Sequence, residues 1–394
     1  MANESLSFDF GFAPCRVRFG PGRLAEIRDI AAHTGARNVA WIVDEHFDAG
    51  AGAETLQPCL SQVPAENAVH AMPPGEPDTR SVETCHAFLR TKDFDLIVAL
   101  GGGSTMDAAK VARLMLANDG GVEALAGAET PLNRPKPSLI CVPTTAGTGS
   151  EASEMAVISK PGTDIKLRVR SRDGMAETAI LDPELLLSLP RTPTAHTGFD
   201  AFTHAFEAYT SRKASEVTDL LCQAALEKLW RSLPAAVEEP ASLDARGECL
   251  LGSTFAAVAF NSTELGLAHA ISAPLGAQHH VIHGLGNALA LPAVTAFNEP
   301  AMPEPKRAWL KRMMQTATVT EGVCRLRERI GLDLGLEDCL PKGYDGGAIA
   351  TAAMKSGNIP SNARTPTLSA VAQILEVMRL PLNGTLPSLD DAVV

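Results

Sequence analysis

Residues 95–116 read DLIVALGGGSTMDAAKVARLML, and this stretch decides the fold of the N-terminal half of the chain. A short apolar run from Asp95 to Leu100 is followed by three glycines, after which apolar residues recur at helical spacing from Thr105 to Leu116. A strand that turns through glycines into a helix is typical of one βα unit of a parallel sheet.

Similar short apolar runs lie on both sides of this unit. They occur at NVAWIVD (38–44), near Val69 and at SLICVPTT (138–145), and helix-like stretches separate them. Short continuous apolar runs indicate parallel strands that are covered on both faces. The sequence therefore predicts a doubly wound α/β domain with a Rossmann-like parallel sheet, whose ligands bind at the carboxyl ends of the strands.

The pattern changes near residue 182. Strand-like runs become scarce, and long helical periodicity is broken at Pro183, Pro190 and Pro193. A length of 394 residues suits two domains, each able to bury its own core. We predict an α/β domain over residues 1–182 and an all-helical domain over residues 183–394.

Composition restricts the class of partner. The net charge is −12 and no Lys/Arg cluster occurs, which argues against a nucleic-acid or membrane partner. The first ten residues lack a signal-like apolar run, and no segment reaches the length of a membrane helix. The eight cysteines include no C-x-x-C pair, which is typical of reduced thiols. We expect a cytoplasmic protein.

Two glycine-bearing loops predict a phosphate-binding edge of the sheet. The glycines at 101–103 let the backbone approach a ligand, and the N–H groups at the following helix start suit a pyrophosphate, although a plain tight turn is the alternative. The loop PTTAGTGSE (143–151) offers hydroxyls and glycines after a neighbouring strand. Two such loops favour a dinucleotide, and the missing G-x-G-x-x-G makes the fold a Rossmann variant.

Asp44 lies at the end of the strand AWIVD. A carboxylate there would accept hydrogen bonds from an adenosine ribose and would repel the extra phosphate of NADP. This position favours NAD, and the alternative is that Asp44 only caps the following helix.

Four residues in the second half form a candidate metal site. Asp200 and His204 are four apart on a helical pattern, so both project from one face, and His269 and His283 follow in GLAHAISAPLGAQHHVIHG (266–284). One carboxylate and three imidazoles suit Fe²⁺ or Zn²⁺ with a position left for a substrate oxygen. Each histidine alone is more often a core or surface residue, and only the joint pattern indicates a metal.

The order of these motifs resembles the iron-containing (group III) alcohol dehydrogenases nearly from end to end. The resemblance implies a dehydroquinate synthase-like architecture, with a dinucleotide domain, a helical domain and a metal in the cleft between them. The matching stretches are FGPG (19–22), GEP (75–77), GGGSTMDAAK (101–110), PTTAGTGSE (143–151), Lys166, GFDAFTHAFEAY (198–209), GLAH (266–269), HGLGNALALP (283–292) and NAR (362–364).

The resemblance also implies roles for individual residues. It implies an NAD-dependent dehydrogenase that transfers a hydride between the nicotinamide and a small alcohol or aldehyde held on Fe²⁺ or Zn²⁺. It also implies a homodimer or a higher homo-oligomer. Asp44 matches the position that selects NAD. The implied metal ligands are Asp200, His204, His269 and His283, and the implied cofactor contacts are Gly102, Gly103, Ser104, Asp107, Thr144, Thr145, Thr148 and Lys166.

The chain departs from the family pattern at two positions. The family usually carries a histidine where this chain has Ala273, so a proton relay would fall to His280, to His279, or to the ribose hydroxyl of the cofactor with water. The family commonly has glycine at the position of Glu264, which is either a specificity determinant beside the substrate or a surface carboxylate.

Three other functions are compatible with parts of the pattern. A dehydroquinate synthase-like lyase would share the architecture, but few basic residues for a phosphorylated substrate lie near the ligand motifs. A reductase of the maleylacetate reductase type would work without metal, which the intact Asp and His set disfavours. A non-catalytic metal- or nucleotide-binding protein is the third.

Overall fold

A computed structural model describes residues 14–50 and 52–381. The chain divides into two compact units between Leu189 and Pro190, whereas the sequence pattern placed the boundary after Asp182. The buried carboxylate of Asp182 accepts hydrogen bonds from the backbone N–H groups of Gly22 and Leu24, at 3.2 and 2.9 Å. These bonds hold the segment after the last strand on the N-terminal unit.

The N-terminal unit is built on strands and helices that alternate along the chain. Its strands are β1 (Arg16–Phe19), β2 (Asn38–Asp44), β3 (Glu66–Met72), β4 (Leu96–Gly101), β5 (Ser138–Pro143), β6 (Met155–Ser159), β7 (Lys166–Arg170) and β8 (Thr178–Leu181). Its α-helices are α1 (Glu26–Thr34), α2 (Glu45–Ala49), α3 (Ala53–Gln62), α4 (Thr79–Leu89), α5 (Gly103–Leu114) and α6 (Gly121–Ala126).

Six of these strands form one parallel sheet in the order β1-β8-β5-β4-β2-β3. The predicted parallel α/β sheet is confirmed. All six residues of β4 are buried, as expected for a central strand that is covered on both faces. Because β3 and β4 lie on opposite sides of β2, the chain reverses its winding direction between β2 and β4, and ligands of such sheets bind at that switch point.

The sequence pattern missed the short peripheral strands. β1 and β8 pair at one edge of the sheet, and β6 and β7 form a separate antiparallel pair. Each has only four or five residues, and RVRF and KLRVR carry charges at alternate positions. A strand that short gives too little periodicity to separate it from a loop.

The C-terminal unit is helical in its described residues. Its α-helices are α7 (Arg191–Thr210), α8 (Glu216–Glu238), α9 (Leu243–Thr263), α10 (Leu267–His279), α11 (His283–Asn298), α12 (Glu304–Met314), α13 (Val319–Arg329), α14 (Leu336–Cys339), α15 (Gly346–Met354) and α16 (Leu368–Val377).

Helix α7 lies at the centre of this unit. It packs against α8, α9 and α11, and α10 packs against α11. Sixteen of its twenty residues are buried, including a row of phenylalanines whose neighbouring rings lie 5.8 and 6.1 Å apart, namely Phe199, Phe202 and Phe206. A helix that is buried on nearly all of its faces has no polar face turned to solvent, which explains its weak amphipathic pattern.

Two further features concern membrane-spanning helices and disulfide bonds. Within residues 14–50 and 52–381, no helix is both long enough and apolar enough to cross a membrane. All eight cysteines lie in these ranges and are free thiols.

Helix α9 ends in an unusual backbone conformation at Glu264. Its φ and ψ are 56° and −171°, a region that is essentially restricted to glycine because a Cβ crowds the backbone there. The side chain is about a third exposed, and its carboxylate lies 2.7 Å from the ammonium nitrogen of Lys213. The backbone conformation gives a physical reason for the glycine that the resembling family has here.

We predict that Glu264→Gly is more stable than Glu264→Ala by about 1–2 kcal/mol, because both variants lose the Lys213 ion pair and only glycine relieves the backbone. Glycine should also match or exceed the native protein, since an exposed ion pair contributes only about 0–1 kcal/mol. Denaturant unfolding of the three proteins measures these differences. Equal stabilities for the glycine and alanine variants would show that the backbone at residue 264 is not strained.

Candidate functional site

Four side chains of the C-terminal unit converge on one point. Asp200, His204, His269 and His283 each offer one ligand atom, and these atoms all lie within 4.8 Å of one another. The Nε2 atoms of the three histidines lie 3.8, 3.6 and 3.6 Å from Oδ1 of Asp200. Three helices therefore supply the cluster: α7 gives Asp200 and His204 from one face, α10 gives His269, and α11 begins with His283.

Glycines next to His283 allow the three helices to approach. A Cβ on Gly284 would lie 2.2 Å from the carbonyl oxygen of His196 on α7. A Cβ on Gly286 would lie 2.6 Å from the Ser272 hydroxyl on α10. The motif HGLG is thus the contact of α11 with both helices that carry the other ligands, and larger residues at its glycines would move His283 away.

The cluster is buried on every side except at His283. The side chains of Asp200, His204 and His269 are 4, 7 and 4% exposed, whereas that of His283 is 37% exposed. Any small molecule from solvent therefore meets the cluster at His283. Phe260 also lies beside it, with its ring centroid 4.9 Å from that of His204, so an apolar surface adjoins the ligand atoms.

The electrostatics of the cluster favour positive charge. Burial would raise the pKa of Asp200, but the surrounding imidazoles hold it well below the usual range of a carboxyl group. Burial would lower the pKa of His269, but the neighbouring carboxylates of Asp200 and Glu207 raise it above the usual range of an imidazole. The carboxylates thus stabilise a cation at this point, whether a proton or a metal ion.

Asn287 tests whether a metal ion fits. This fully buried residue lies one turn after His283, and its Nδ2 is 2.7 Å from Asp200 Oδ1, 3.0 Å from His269 Nε2 and 3.4 Å from His283 Nε2. One carboxylate oxygen and two imidazole nitrogens therefore point their lone pairs at the same amide nitrogen. Ligand atoms point at a metal cation in the same way. One carboxylate oxygen and three imidazole nitrogens are donors that both Fe²⁺ and Zn²⁺ accept, so a divalent ion fits these residues.

Several residues that orient the ligands were not predicted from the sequence. Glu207 accepts a hydrogen bond from His269 Nδ1 at 2.6 Å, and the Ser272 hydroxyl lies 3.3 Å from His283 Nδ1. Spacing gave a usable signal for two of the missed residues, because Glu207 is three residues after His204 and Asn287 four after His283 on the same helices. For Ser272, no sequence signal separates it from an ordinary helical serine.

His280, the predicted proton relay residue, lies at the surface of the C-terminal unit. His280 is exposed and ends α10 in the left-handed conformation, with φ 58°. His279 is half-buried, and its ring packs edge-on against Tyr344 at 6.5 Å. Ala273, the position of the family's histidine, is half-buried in α10.

In the N-terminal unit, the two glycine-bearing loops lie side by side. β4 and β5 are neighbours with Gly101 opposite Pro143, and Thr144 N donates to the carbonyl of Gly101 at 3.1 Å. A Cβ on Gly103 would lie 2.5 Å from the side chain of Thr148, whereas one on Gly102 would lie 3.7 Å from Thr145. The loops therefore touch at Gly103, and Gly102 remains more accessible.

The start of α5 suits an anion. Its N-cap residue is Gly102, and no side chain of the described residues caps the helix. Half-buried hydroxyl side chains lie in the first turn of α5 and in the loop after β5, namely Ser104, Thr144, Thr145 and Thr148, and Thr145 and Thr148 lie next to Gly102 and Gly103. Uncapped N–H groups and the positive end of a helix dipole are the usual setting for a bound phosphate.

Asp44 ends β2, next to β4 and therefore at the switch point of the sheet. Its Oδ1 accepts a hydrogen bond from the backbone N–H of His46 at 3.0 Å and caps α2. The helix-capping role that the sequence left open is thus present. It engages one oxygen of the carboxylate, so the predicted contact with a ribose remains compatible with the cap.

Asp107 and Lys166 make structural contacts. The Asp107 carboxylate accepts from the Ser150 hydroxyl at 2.5 Å and from Val157 N at 2.9 Å, which ties α5 to the second loop and to β6. The ammonium group of Lys166 lies 2.8 Å from the carboxylate of Glu76, in the GEP stretch. Their predicted contacts with a cofactor stay predictions.

Comparison with known proteins gives consistent matches over both units. The family model described as iron-containing alcohol dehydrogenase matches residues 14–183, and that of the C-terminal domain of the Fe-containing alcohol dehydrogenase family matches residues 194–378. The probable alcohol dehydrogenase EutG of Salmonella typhimurium is 36% identical, over 91% of this chain and 91% of its own length.

Solved structures match over nearly the whole chain. A crystal structure of 1,3-propanediol oxidoreductase is 31% identical with a TM-score of 0.88, and the match covers 94% of this chain and 99% of that one. Sulfoacetaldehyde reductase from Bifidobacterium kashiwanohense, in complex with NAD⁺, is 26% identical with a TM-score of 0.88, and the match covers 95% and 99%.

The different surroundings of the two glycines give a testable contrast. Gly103→Ala should lower the melting temperature, because its Cβ would collide with Thr148. Gly102→Ala should leave the melting temperature nearly unchanged but weaken dinucleotide binding by about tenfold or more, since its Cβ would stand where the phosphates approach. Thermal unfolding and calorimetric titration measure both effects. Native affinity in Gly102→Ala would place the phosphates elsewhere.

Proposed function

The chain belongs to the iron-containing alcohol dehydrogenase family and is an oxidoreductase acting on CH–OH groups, and we propose that it uses NAD and a divalent metal ion. Its substrates in this proposal are a small alcohol and the corresponding aldehyde or ketone. The reaction transfers a hydride between the alcohol carbon and the nicotinamide.

The observation that carries the proposal is the convergence of Asp200, His204, His269 and His283 within 4.8 Å. These four side chains would hold the ion, with Fe²⁺ as the first candidate and Zn²⁺ as the alternative. Bound there, the ion would supply Lewis-acid polarisation of the substrate oxygen. Asp200 contributes one negative charge, and neutral imidazoles contribute none. The four ligands would therefore compensate only part of the charge of a divalent ion, and the remainder would polarise the substrate oxygen.

The N-terminal α/β unit would bind the dinucleotide, and the C-terminal helical unit would carry the metal and the catalytic groups. The N–H groups at Gly102, Gly103 and Ser104 would bind the pyrophosphate. Around them we place further cofactor contacts at Asp44, Asp107, Thr144, Thr145, Thr148 and Lys166. The hydroxyls donate to phosphate oxygens, and the carboxylate of Asp44 accepts from the ribose.

The proton of the alcohol needs an acceptor on the open side of the cluster. His283 is the most exposed ligand, and His280, three residues before it, is exposed to solvent. We assign the imidazole of His280 as the group that exchanges this proton with solvent. The position where the family carries its histidine is Ala273 in this chain, so that position offers no imidazole for the proton.

The cellular setting follows from composition. Eight free thiols without a disulfide suit a reducing compartment, so we propose that the protein acts in the cytoplasm. The net charge of −12 disfavours nucleic acid as a partner. The family resemblance supports a homodimer or a higher homo-oligomer.

The experiment that tests the function combines metal analysis with a substrate panel. Protein loaded with Fe²⁺ or Zn²⁺ should bind one ion per chain and should form NADH from short alcohols and NAD⁺. NADH formation that persists after complete removal of metal would instead support a metal-free reductase. Turnover without net NADH would support a lyase that uses NAD transiently, and the absence of any turnover would favour a binding protein.

We predict that His269→Ala and His283→Ala lose metal and activity together, because each removes one of four ligands. Activity should fall by at least about a hundredfold, and the metal content should fall below stoichiometric. Atomic emission analysis and initial rates on the same samples measure this. His33→Ala, which removes an exposed imidazole on α1, is the matched control. Full metal content and rate in either ligand variant would rule out the assignment.

We also predict a preference for NAD over NADP, because the Asp44 carboxylate would meet the 2′-phosphate with like charge. Asp44→Asn preserves the oxygen that caps α2, and Asp44→Gly removes it. Both variants should narrow the ratio of kcat/KM between the two cofactors by about tenfold or more. An unchanged ratio in both would show that Asp44 acts only as a helix cap.

A further inference from the structure

The N-terminus of α10 is capped by side chains from elsewhere in the chain. Its N-cap residue is Gly266, which offers no side chain, so its first N–H groups need other acceptors. Glu207 of α7 accepts from Gly266 N at 2.8 Å and from Ala268 N at 2.7 Å. Asn362 Oδ1 accepts from Leu267 N at 3.1 Å.

Glu207 differs from Asn362 in also binding the His269 ring. Its carboxylate accepts from His269 Nδ1 at 2.6 Å, and its side chain is 3% exposed. A carboxylate only accepts hydrogen bonds, so it keeps the ring proton on Nδ1 and leaves the Nε2 lone pair available. That Nε2 faces Asp200 Oδ1 at 3.6 Å. Glu207 therefore sets both the position and the tautomer of His269.

The fit around Glu207 leaves no space for a larger N-cap residue. A Cβ on Gly266 would lie 2.8 Å from Glu207 Oε1 and 2.9 Å from Asn362 Oδ1. Both acceptors thus reach the helix backbone only because residue 266 is glycine. This accounts for the glycine of the GLAH stretch in physical terms.

Asn362 contacts the same helix start without contacting the ring. In the described residues, its side chain also exchanges two hydrogen bonds with the amide of Asn298, at 3.0 and 2.8 Å, and donates to the carbonyl of Arg364 at 2.7 Å. The NAR stretch thus anchors the backbone of α10. It provides a matched control for Glu207, because both cap one helix and only one touches His269.

We propose that Glu207 is a positioning residue of the metal centre, which controls metal affinity through the His269 ring, whereas Asn362 supports only the fold of α10. The inference rests on the proposed function, since it takes Asp200, His204, His269 and His283 as ligands. Carboxylate partners of ligating histidines fix the ring and increase its basicity, and their loss typically weakens metal binding by about 10–100-fold.

Glu207→Gln tests this with little change in volume. A glutamine amide can donate to His269 Nδ1, which moves the ring proton to Nε2 and blocks the ligand atom. We expect the dissociation constant for Zn²⁺, measured by chelator competition on the full-length protein, to rise by about 10–100-fold. The visible absorption of the Co²⁺-loaded variant should also shift, because the His269 ligand changes.

Asn362→Ala is the control. It should lower the melting temperature of the metal-free and metal-loaded protein alike, with the Zn²⁺ dissociation constant within about threefold of native and an unchanged Co²⁺ spectrum. Equal losses of affinity in both variants would overturn the proposal, because Glu207 would then be only a helix cap. Native affinity and spectrum in Glu207→Gln would overturn it as well.

Gly266→Ala gives a second, independent variant if Glu207→Gln does not fold. Its Cβ would displace both the Glu207 carboxylate and the Asn362 side-chain oxygen. Because Asn362→Ala measures the effect of losing Asn362 alone, Zn²⁺ binding weaker than in that control would be due to Glu207, and affinity equal to that control would contradict the proposal. Native protein that binds neither Zn²⁺ nor Co²⁺ would overturn the proposed metal function together with this inference. If the native protein binds the ion stoichiometrically and the variants bind it with the same dissociation constant, only this inference is overturned.

Discussion

The C-terminal unit depends on the burial of the Asp200 carboxylate. A charge removed from water must be compensated by hydrogen bonds or by opposite charge. The Asn287 amide donates to this carboxylate at 2.7 Å, and three imidazole nitrogens lie 3.6–3.8 Å from it, where a shared cation would supply the opposite charge. Because these partners come from three helices, compensation requires α7, α10 and α11 to approach closely. The glycines at 266, 284 and 286 permit that approach at the points where a Cβ would collide.

The N-terminal unit obeys a different constraint. Parallel strands end at one edge of a sheet, so loops that are far apart in sequence become neighbours there. The loops after β4 and β5 touch at Gly103 and Thr148, while Asp44 ends the adjacent strand β2. Several polar side chains near these loops stabilise the fold. Asp107 accepts a hydrogen bond from Ser150 in the loop after β5, and Lys110 donates to the backbone carbonyls of Ser150 and Ser153.

The central strands and the long helices were predictable because their signals are long and local. β2 has the bounds read from the sequence, and β4 and β5 differ from the predicted runs by one or two residues. The peripheral strands escaped prediction because four or five residues are too few to establish a periodicity. At Glu264 the sequence shows only a departure from the family's glycine, and the backbone angles supply the reason for that glycine.

The sequence by itself determined the two-unit α/β and helical organisation, the family, and the candidate ligands Asp200, His204, His269 and His283. These follow from periodicity, from spacing within one helix and from motif order, all of which are local along the chain. Only the tertiary structure decided what holds those ligands: the Glu207 carboxylate on His269, the Asn287 amide among the ligand atoms, and Asn362 at the start of α10. Such contacts join residues far apart in sequence, and a hydrogen bond across that distance exists only once packing has fixed the helices that carry its two partners.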